Sequence, residues 1–423
     1  MDRLRIYGGN ALKGSIPISG AKNAALKLMA ASLLTKDAMI LHHVPHLADV
    51  VTMANLLVQH GVNLHVSDGK PGDGQTFTLQ ANNITSLTAP YELVRRMRAS
   101  VVVLGPLLAR FGKAKVSLPG GCAIGTRPID MHLNAFKEMG AKIELKEGYV
   151  FAEAKKGLKG AEINFDKVSV GATENVLMAA TLAKGTTVIN NAAREPEIGD
   201  LVRCLQKMGA KIEGIGTDRL VIEGVESLHG VEHRVIADRI EAGTYMVAAA
   251  ITKGDIEVLG VEAHLLDAVI EKLEEAGAVV KETKHGIRVK GKGKLHGIDV
   301  MTQPYPGFPT DMQAQIMALL SVADGASLVT ETIFENRFMH VPELARMGAK
   351  VVVHGRSAML RGAKSLTGAE VMATDLRASV CLVLAALAAK GETTINRIYH
   401  LDRGYERLEE KLRACGAQIE RVP

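Results

Sequence analysis

Hydrophobic positions along the chain follow a helical period and then an alternating one, and this pattern recurs six times. In each recurrence an amphipathic helix stops at a glycine and a short run rich in β-branched residues follows. A glycine just past the last turn is a common C-terminal signal of a helix, and alternation of apolar and polar residues indicates a strand. The six glycines are Gly61, Gly140, Gly209, Gly277, Gly348 and Gly416, at successive intervals of 79, 69, 68, 71 and 68 residues.

A second, more apolar helix and a further strand precede each of these glycines. The clearest examples are helices at 24–34, 173–183, 243–251 and 375–389, followed by strands at 38–41, 186–190, 255–259 and 393–396. Each repeat of about 70 residues therefore reads helix, strand, helix, strand, strand. Because the first helix is apolar on almost every side, we expect it to be buried, and we expect the amphipathic second helix outside it.

Six repeats divide naturally into two domains of three. The period places the break near residue 235, where His233-Arg234-Val235 leads into the fourth repeat, so that residues 22–235 form one domain and residues 1–21 and 236–423 the other. The opening stretch, 4–18, precedes the first helix, and we expect it to pair with a strand elsewhere in the chain. If it adds a strand to the last repeat, the second domain is discontinuous in sequence. The chain would then pass from one domain to the other twice. Such a double connection favours a cleft that opens and closes, and we expect the active site in that cleft.

Composition narrows the class of protein. The chain of 423 residues is 47% hydrophobic and 23% charged, as in ordinary globular proteins, and its lack of tryptophan points to helices packed through small side chains. A net charge of +5 from scattered basic residues does not predict a nucleic-acid partner. No apolar leader or membrane span is evident, so we expect no membrane insertion. Four cysteines without paired spacing predict neither disulfides nor a metal site, which favours the cytoplasm.

Charged residues interrupt the apolar pattern where the predicted buried helices begin. A first helical turn offers free N–H groups and partial positive charge, so an added lysine or arginine makes an anion site there. One such charge could equally reach solvent or pair locally, as Asp238 and Glu241 could with Arg239. Recurrence in at least five repeats favours a function. The residues are Lys22, Arg98, Lys167, Asp238, Arg239, Glu241, Asp311 and Arg377.

The segment 118–130 interrupts the regular repeat. It holds three glycines, two prolines, Cys122 and Arg127, and it lies in the longest interval of the series. A cysteine in such a loop is accessible, and a neighbouring guanidinium stabilises its thiolate. Function often resides in loops inserted into a regular framework, although the same residues also suit a surface loop with an incidental thiol.

Two further motifs stand near predicted helix starts. The turn Tyr305-Pro-Gly-Phe-Pro-Thr-Asp311 places one acid at a helix start. Asp311 is either a functional acid or an ordinary N-cap. The second motif is His400-Leu-Asp-Arg403-Gly-Tyr405, whose arginine has a counterpart in Arg337 of the fifth repeat.

Together these motifs resemble those of the UDP-N-acetylglucosamine 1-carboxyvinyltransferases, a branch of the enolpyruvyl transferase family. The resemblance runs in order from about residue 4 to the end of the chain, and it rests on Lys22-Asn23, Arg98-Ala-Ser, the loop around Cys122, the turn to Asp311 and Asp402-Arg403-Gly404. It implies a two-domain inside-out α/β barrel built from six βαβαββ repeats, three per domain. It implies no metal or organic cofactor.

The implied reaction transfers the enolpyruvyl group of phosphoenolpyruvate to the 3-hydroxyl of UDP-N-acetylglucosamine and releases phosphate, the first committed step of peptidoglycan synthesis. By resemblance, Cys122 is the general acid and can also form a covalent adduct with phosphoenolpyruvate. Because the thiol is expected to be accessible, the electrophilic epoxide fosfomycin should alkylate it. Asp311 takes the proton of the sugar hydroxyl. Lys22, Arg127 and Arg403 hold phosphoenolpyruvate, and Arg377 lines the same pocket. The substrate-binding residues further include Asn23, Arg98, Arg127, Pro128, Ile129, Asp130, Met131, Lys167, Val168, Ser169, Val170, Gly171, Asp311, Ile333 and Arg337.

Two alternatives stay open on the sequence. One is the sister enolpyruvyl transferase that acts on shikimate 3-phosphate, against which the Cys122 loop and the stretch 167–171 argue. The other is a non-enzymatic repeat scaffold that binds anionic ligands or a protein partner.

Overall fold

The computed structural model describes residues 2–69, 73–119 and 129–423. The strands are β1 Arg3–Tyr7, β2 Lys13–Pro17, β3 Ala38–Val44, β4 Asn63–Asp68, β5 Gln75–Gln80, β6 Thr88–Ala89, β7 Lys113–Ser117, β8 Lys142–Lys146, β9 Tyr149–Glu153, β10 Glu162–Asn164, β11 Thr186–Asn190, β12 Lys211–Glu213, β13 Arg219–Glu223, β14 Val231–Arg234, β15 Asp255–Leu259, β16 Ala278–Glu282, β17 Gly286–Gly291, β18 Val300–Met301, β19 Ala326–Thr330, β20 Lys350–His354, β21 Ser357–Arg361, β22 Glu370–Met372, β23 Glu392–Asn396 and β24 Gln418–Val422.

Helices alternate with these strands. The α-helices are α1 Lys22–Ala31, α2 Ala48–His60, α3 Tyr91–Val94, α4 Leu104–Phe111, α5 Asp130–Glu138, α6 Val170–Ala180, α7 Pro196–Lys207, α8 Arg239–Ile251, α9 Asp267–Glu275, α10 Gln313–Leu320, α11 Val341–Arg346, α12 Ser379–Ala388 and α13 Leu408–Ala414. Short 3₁₀-helices lie at Ser32–Leu34, Arg98–Val103, Ala263–Leu265, Thr310–Met312 and Ile398–Arg403. Within the part of the chain that the structure describes, no helix has both the length and the apolar character to cross a bilayer.

One sheet plan is repeated through the described residues. The strand that follows each buried helix pairs with a parallel strand on one side and an antiparallel strand on the other, and the latter pairs with the strand that follows the outer helix. In the sheet β10-β11-β13-β12, for example, Ile189 pairs with Ile163 and with Leu220. All three side chains are buried while their neighbours along the strands are more exposed, so one face of the sheet covers the core.

Among the described residues, the chain forms two compact units. One consists of residues 19–119 and 129–236, and the other of residues 2–18 and 237–423. The first unit contains the sheets β14-β3-β5-β4, β6-β7-β9-β8 and β10-β11-β13-β12. The second contains β16-β17-β15-β2, β18-β19-β21-β20 and β22-β23-β1-β24.

Both units complete their sheets with strands that are distant in sequence. The opening strand β1 lies between β23 and β24, so the expected loan of a strand to the last repeat is confirmed. The predicted break near residue 235 follows β14, and β14 pairs with β3 of the first repeat, with His233 opposite Leu41. The parallel strand of the fourth repeat is β2 instead. This exchange covers the side of β3 that would otherwise be an open edge.

The apolar first helices form the interior of each unit, as their sequences predict. Every residue of α8 is buried, and α8, α10 and α12 pack against one another. In the other unit α4 packs against α6, and the ammonium of Lys27 in α1 lies 3.2 Å from the carboxylate of Glu174 in α6. Burial raises the pKa of Glu174 to about 7, against the opposing effect of Lys27. Helices lie inside and sheets outside, which confirms the inside-out α/β fold.

The outer helices and the glycines that end them also match the sequence pattern. Helix α7 buries Ile198, Leu201 and Leu205 on one face. The six repeat glycines all have positive φ, between 89° and 104°. Residues with a Cβ rarely adopt that conformation, which explains why glycine marks each transition from outer helix to strand.

Candidate active site

Lys22 is the first residue of α1 and is held by a buried ion pair. Its ammonium lies 3.1 Å from a carboxylate oxygen of Asp49, in the first turn of α2, and both side chains are less than a tenth exposed. Residue Asn23, which follows it, is half-buried. Burying two charges is costly unless they are paired, so Asp49 is what allows a lysine to sit at this helix start. The sequence analysis missed Asp49, and the available signal was an acid in the first turn of the neighbouring outer helix.

Three other segments predicted to bind substrate lie at helix starts of the same unit. Arg98, half-buried, opens the 3₁₀-helix Arg98–Val103, which packs against both α1 and α6. The segment 129–131 begins α5, with Ile129 buried, Asp130 exposed and Met131 half-buried, and α5 also packs against α6. These contacts place the two segments beside the third, which leads into α6.

The segment 167–171 leads into α6. Lys167 is exposed, while Val168, Ser169, Val170 and Gly171 are half-buried. The hydroxyl of Ser169 caps the helix by accepting a hydrogen bond from the backbone N–H of Ala172 at 3.3 Å. Cys122, Arg127 and Pro128 lie outside the described residues, so their predicted roles rest on the sequence alone.

In the other unit, Asp311 is held by two arginines. It lies within the 3₁₀-helix Thr310–Met312, whose N-cap is Pro309, so Asp311 is not the N-cap residue that the alternative interpretation proposed. One carboxylate oxygen is 2.6 Å from a guanidinium nitrogen of Arg337, and the other is 3.6 Å from Nε of Arg377. Both arginine side chains are almost fully buried, whereas the Asp311 side chain is 27% exposed. The carboxylate is therefore oriented from within and reachable from outside.

Arg377 connects the starts of three buried helices. It precedes α12 by two residues and lies 3.6 Å from Asp238, the N-cap of α8, as well as from Asp311 ahead of α10. It also donates to the carbonyl of Gly404 and stacks over the ring of Tyr405. Burial by itself lowers the pKa of Arg377, but the carboxylates of Asp238 and Asp311 raise that pKa overall, so the guanidinium stays charged.

The acids at the start of α8 pair with cations of other elements. Asp238 accepts from the N–H groups of Ile240 and Glu241 and faces Arg377, while Glu241 lies 2.6 Å from the ammonium of Lys411 in α13. The guanidinium of Arg239 lies 5.5 Å from the ring centre of Tyr305, in the proline-rich turn. The charged residues at the start of α8 therefore hold this helix against other elements of the same unit.

Glu331 organises the segment that contains Ile333. Its buried carboxylate accepts from the hydroxyl of Thr310 and from the backbone N–H of Ile333 and of Phe334, at 2.9–3.1 Å. Arg337 donates to the same threonine hydroxyl at 2.7 Å. The structure thus brings Ile333, Arg337 and Asp311 together, although the sequence analysis missed Glu331, the residue immediately after β19.

Arg403 is half-buried at the end of the 3₁₀-helix Ile398–Arg403. Its neighbour Asp402 pairs with Arg421 in β24 at 2.6 Å, and Gly404 accepts from Arg377. The segment is therefore anchored on both sides of Arg403. Nowhere in residues 2–69, 73–119 and 129–423 do three or more His, Cys, Asp or Glu side chains gather in an arrangement suited to a metal ion.

Comparison with known proteins places these residues in a family context. The sequence model of the EPSP synthase (3-phosphoshikimate 1-carboxyvinyltransferase) family matches residues 6–412. The chain is 64% identical to a UDP-N-acetylglucosamine 1-carboxyvinyltransferase of Paramagnetospirillum magneticum, with 100% of this chain and 99% of that protein covered. It is 62% identical to the protein of the same name from Rhodospirillum centenum, with the same coverage.

Solved structures share the fold. The enolpyruvyl transferase NikO from Streptomyces tendae matches with a TM-score of 0.89 and 27% identity, covering 100% of this chain and 99% of the other. EPSP synthase from Acinetobacter baumannii matches with a TM-score of 0.77 and 20% identity over the full length of both chains, which is similarity of fold.

The buried pair at the start of α1 yields a test of stability. Replacing Asp49 with Asn removes the carboxylate charge that lies 3.1 Å from the buried Lys22 ammonium, so we expect Asp49→Asn to lower the free energy of unfolding by about 3 kcal/mol. As a control, Glu223→Gln removes the partner of Lys211 in a pair whose side chains are 62% and 58% exposed, and it should cost less than about 0.5 kcal/mol. Urea unfolding of both variants measures the difference, and equal losses would contradict this account.

Proposed function

We infer that this chain, which belongs to the UDP-N-acetylglucosamine 1-carboxyvinyltransferase family, transfers the enolpyruvyl group of phosphoenolpyruvate to the 3-hydroxyl of UDP-N-acetylglucosamine and releases phosphate. It is an enolpyruvyl transferase of peptidoglycan synthesis and acts on small-molecule substrates. The observation that carries this conclusion is the similarity, over the full length of the chain, to relatives of that name.

The reaction is an addition followed by an elimination. In the addition, the sugar oxygen bonds to C2 of phosphoenolpyruvate while C3 takes up a proton and becomes a methyl group. In the elimination, the bond from C2 to the phosphate oxygen breaks, phosphate leaves, and C3 gives back a proton to restore the double bond. The protein must supply an acid for C3, a base for the sugar hydroxyl and cations for the negative charges.

We assign the base to Asp311. Its carboxylate is oriented by Arg337 and Arg377, and its exposed fraction leaves room for a hydroxyl group to approach. A general base must lie within hydrogen-bond reach of the proton that it takes, so a carboxylate held in one orientation suits the role. Ile333, which is tied through Glu331 to Thr310, lies in the same segment of structure and contacts the sugar in this proposal.

We assign Lys22, Arg127 and Arg403 to the phosphate and carboxylate of phosphoenolpyruvate. Lys22 supports this assignment because an ammonium at a helix start adds to the partial positive charge of the first turn. Arg377 is assigned to the same substrate, and its contacts with Asp238, Asp311 and Gly404 give it the further role of holding Asp311 in place.

UDP-N-acetylglucosamine binds, in this proposal, to helix starts of the unit that contains residues 19–236. The contacts of the 3₁₀-helix Arg98–Val103 and of α5 with α6 support a single surface for the nucleotide. The assigned residues are Asn23, Arg98, Arg127, Pro128, Ile129, Asp130, Met131, Lys167, Val168, Ser169, Val170 and Gly171.

In this proposal, Cys122 supplies the proton to C3 of phosphoenolpyruvate.

A cytoplasmic location belongs to the same proposal, and it is supported by Cys204, Cys381 and Cys415, which are free, buried thiols of the kind found in reducing compartments.

The role of Cys122 is tested by two substitutions. Cys122→Ala removes the proton donor, so we expect the rate of phosphate release to fall by about 10²- to 10⁴-fold, whereas Cys122→Asp retains part of the rate because a carboxylic acid also donates a proton. Phosphate release with both substrates present is the measurement. Turnover near that of the wild type in Cys122→Ala would refute the assignment.

The role of Asp311 is tested by Asp311→Asn, which keeps the shape and a hydrogen-bond acceptor for Arg337 but cannot take a proton. We expect kcat to fall by about 10²-fold or more. Asp255→Asn is the matched control in the same unit, because Asp255 pairs with Arg288 and Lys290 on a sheet surface, and its kcat should stay within about twofold. An unchanged kcat in Asp311→Asn would remove Asp311 from the mechanism.

Acceptor choice separates the proposed function from its alternatives. With phosphoenolpyruvate present, UDP-N-acetylglucosamine should support phosphate release and shikimate 3-phosphate should not. Release with shikimate 3-phosphate alone would identify the sister activity, and release with neither acceptor would favour the non-enzymatic scaffold.

A further inference from the structure

A buried amide ties together the three helix starts of the proposed nucleotide surface. Asn175 lies in α6 with no exposed surface. Its side-chain oxygen accepts from the backbone N–H of Gly105 at 2.7 Å, and its side-chain nitrogen donates to the carbonyl of Val101 at 3.2 Å. The same nitrogen lies 3.0 Å from Nδ1 of His132, in the first turn of α5. One side chain therefore bonds to the 3₁₀-helix that begins at Arg98, to α4 and to α5.

The backbone partners fix the orientation of this amide. An N–H group faces the oxygen and a carbonyl faces the nitrogen, so a flipped amide would place two donors together and two acceptors together. The second amide hydrogen then points at Nδ1 of His132, which must accept it. Burial lowers the pKa of His132 to about 4, so the ring is neutral near pH 7 and carries its proton on Nε2.

The His132 ring lies beside Gly171. A Cβ built on Gly171, the second residue of α6, would lie 3.5 Å from both Cε1 and Nε2 of His132. The ring is thus seated against the start of α6 on one side and bonded to Asn175 on the other. These contacts set the first turn of α5 against the first turn of α6.

We propose that Asn175 and His132 are positioning residues that set the three segments of the UDP-N-acetylglucosamine surface against one another. The segments are Arg98, Ile129–Met131 and Lys167–Gly171, and the proposal rests on the function assigned to them above. A ligand that contacts all three binds tightly only if their spacing is held, because recognition tolerates displacements of about 0.5 Å. The network bonds to Val101, Gly105 and His132, none of which is assigned to the substrate.

Two substitutions at His132 separate positioning from packing. His132→Phe keeps a ring but removes the acceptor for Asn175, so we expect KM for UDP-N-acetylglucosamine to rise about tenfold, the effect of one lost hydrogen bond. His132→Asn places an oxygen near the position of Nδ1 and should return that KM to within about threefold of the wild type. In both variants, KM for phosphoenolpyruvate should stay within about twofold.

His60→Phe is the matched control. His60 is a fully buried histidine of the same unit, bonded to the carbonyl of Ser86 and distant in sequence from the three segments. Loss of that bond should lower thermal stability and leave KM for UDP-N-acetylglucosamine within about twofold. Asn175→Leu provides a second route if His132→Phe yields no folded enzyme, and it should raise the same KM by at least as much.

The outcomes are distinct. A wild-type enzyme that releases no phosphate with UDP-N-acetylglucosamine overturns the proposed function itself. With an active wild type, an unchanged KM for UDP-N-acetylglucosamine in His132→Phe, or in Asn175→Leu where the former does not fold, overturns the inference. Equal rises in KM for both substrates, or no recovery in His132→Asn, assign the network to general packing and overturn it as well.

Discussion

The unit made by residues 2–18 and 237–423 depends on the pairing of one buried arginine with two carboxylates. Arg377, Asp238 and Asp311 precede or begin three helices that pack against one another, and a charge so deep in protein is tolerated only beside its counter-charges. The same contacts that make the helix starts compatible with burial also orient Asp311. Architecture and candidate chemistry thus rest on one set of ion pairs.

The unit made by residues 19–119 and 129–236 pairs the polar and charged groups at its helix starts through a different set of contacts. Lys22 and Asp49 form a separate buried pair, Ser169 caps α6, and the neutral side chains of Asn175 and His132 join the remaining helix starts. Neutral hydrogen bonds carry direction without the cost of desolvating charge, so they suit buried contacts between helix starts.

Local pattern in the sequence was enough to predict the repeat and its buried and outer helices. Helix ends at glycines such as Gly209 and strands such as β11 and β15 follow from positive φ and from alternation, which are properties of a few adjacent residues. Partners such as Asp49 and Glu331, and the pairing of β14 with β3, were missed because they join positions far apart along the chain. No spacing rule specifies which distant carboxylate meets a given cation.

The place of β1 between β23 and β24 links the first residues of the chain to the last. Leu4 pairs with Ile395 on one side and with Arg421 on the other. During synthesis β1 is made before the other 23 strands described above, whereas its neighbours β23 and β24 are made after all the others. The sheet β22-β23-β1-β24 can therefore be completed only after the other five, and a chain that lacked Gln418–Val422 would leave β1 without a hydrogen-bonding neighbour on one side.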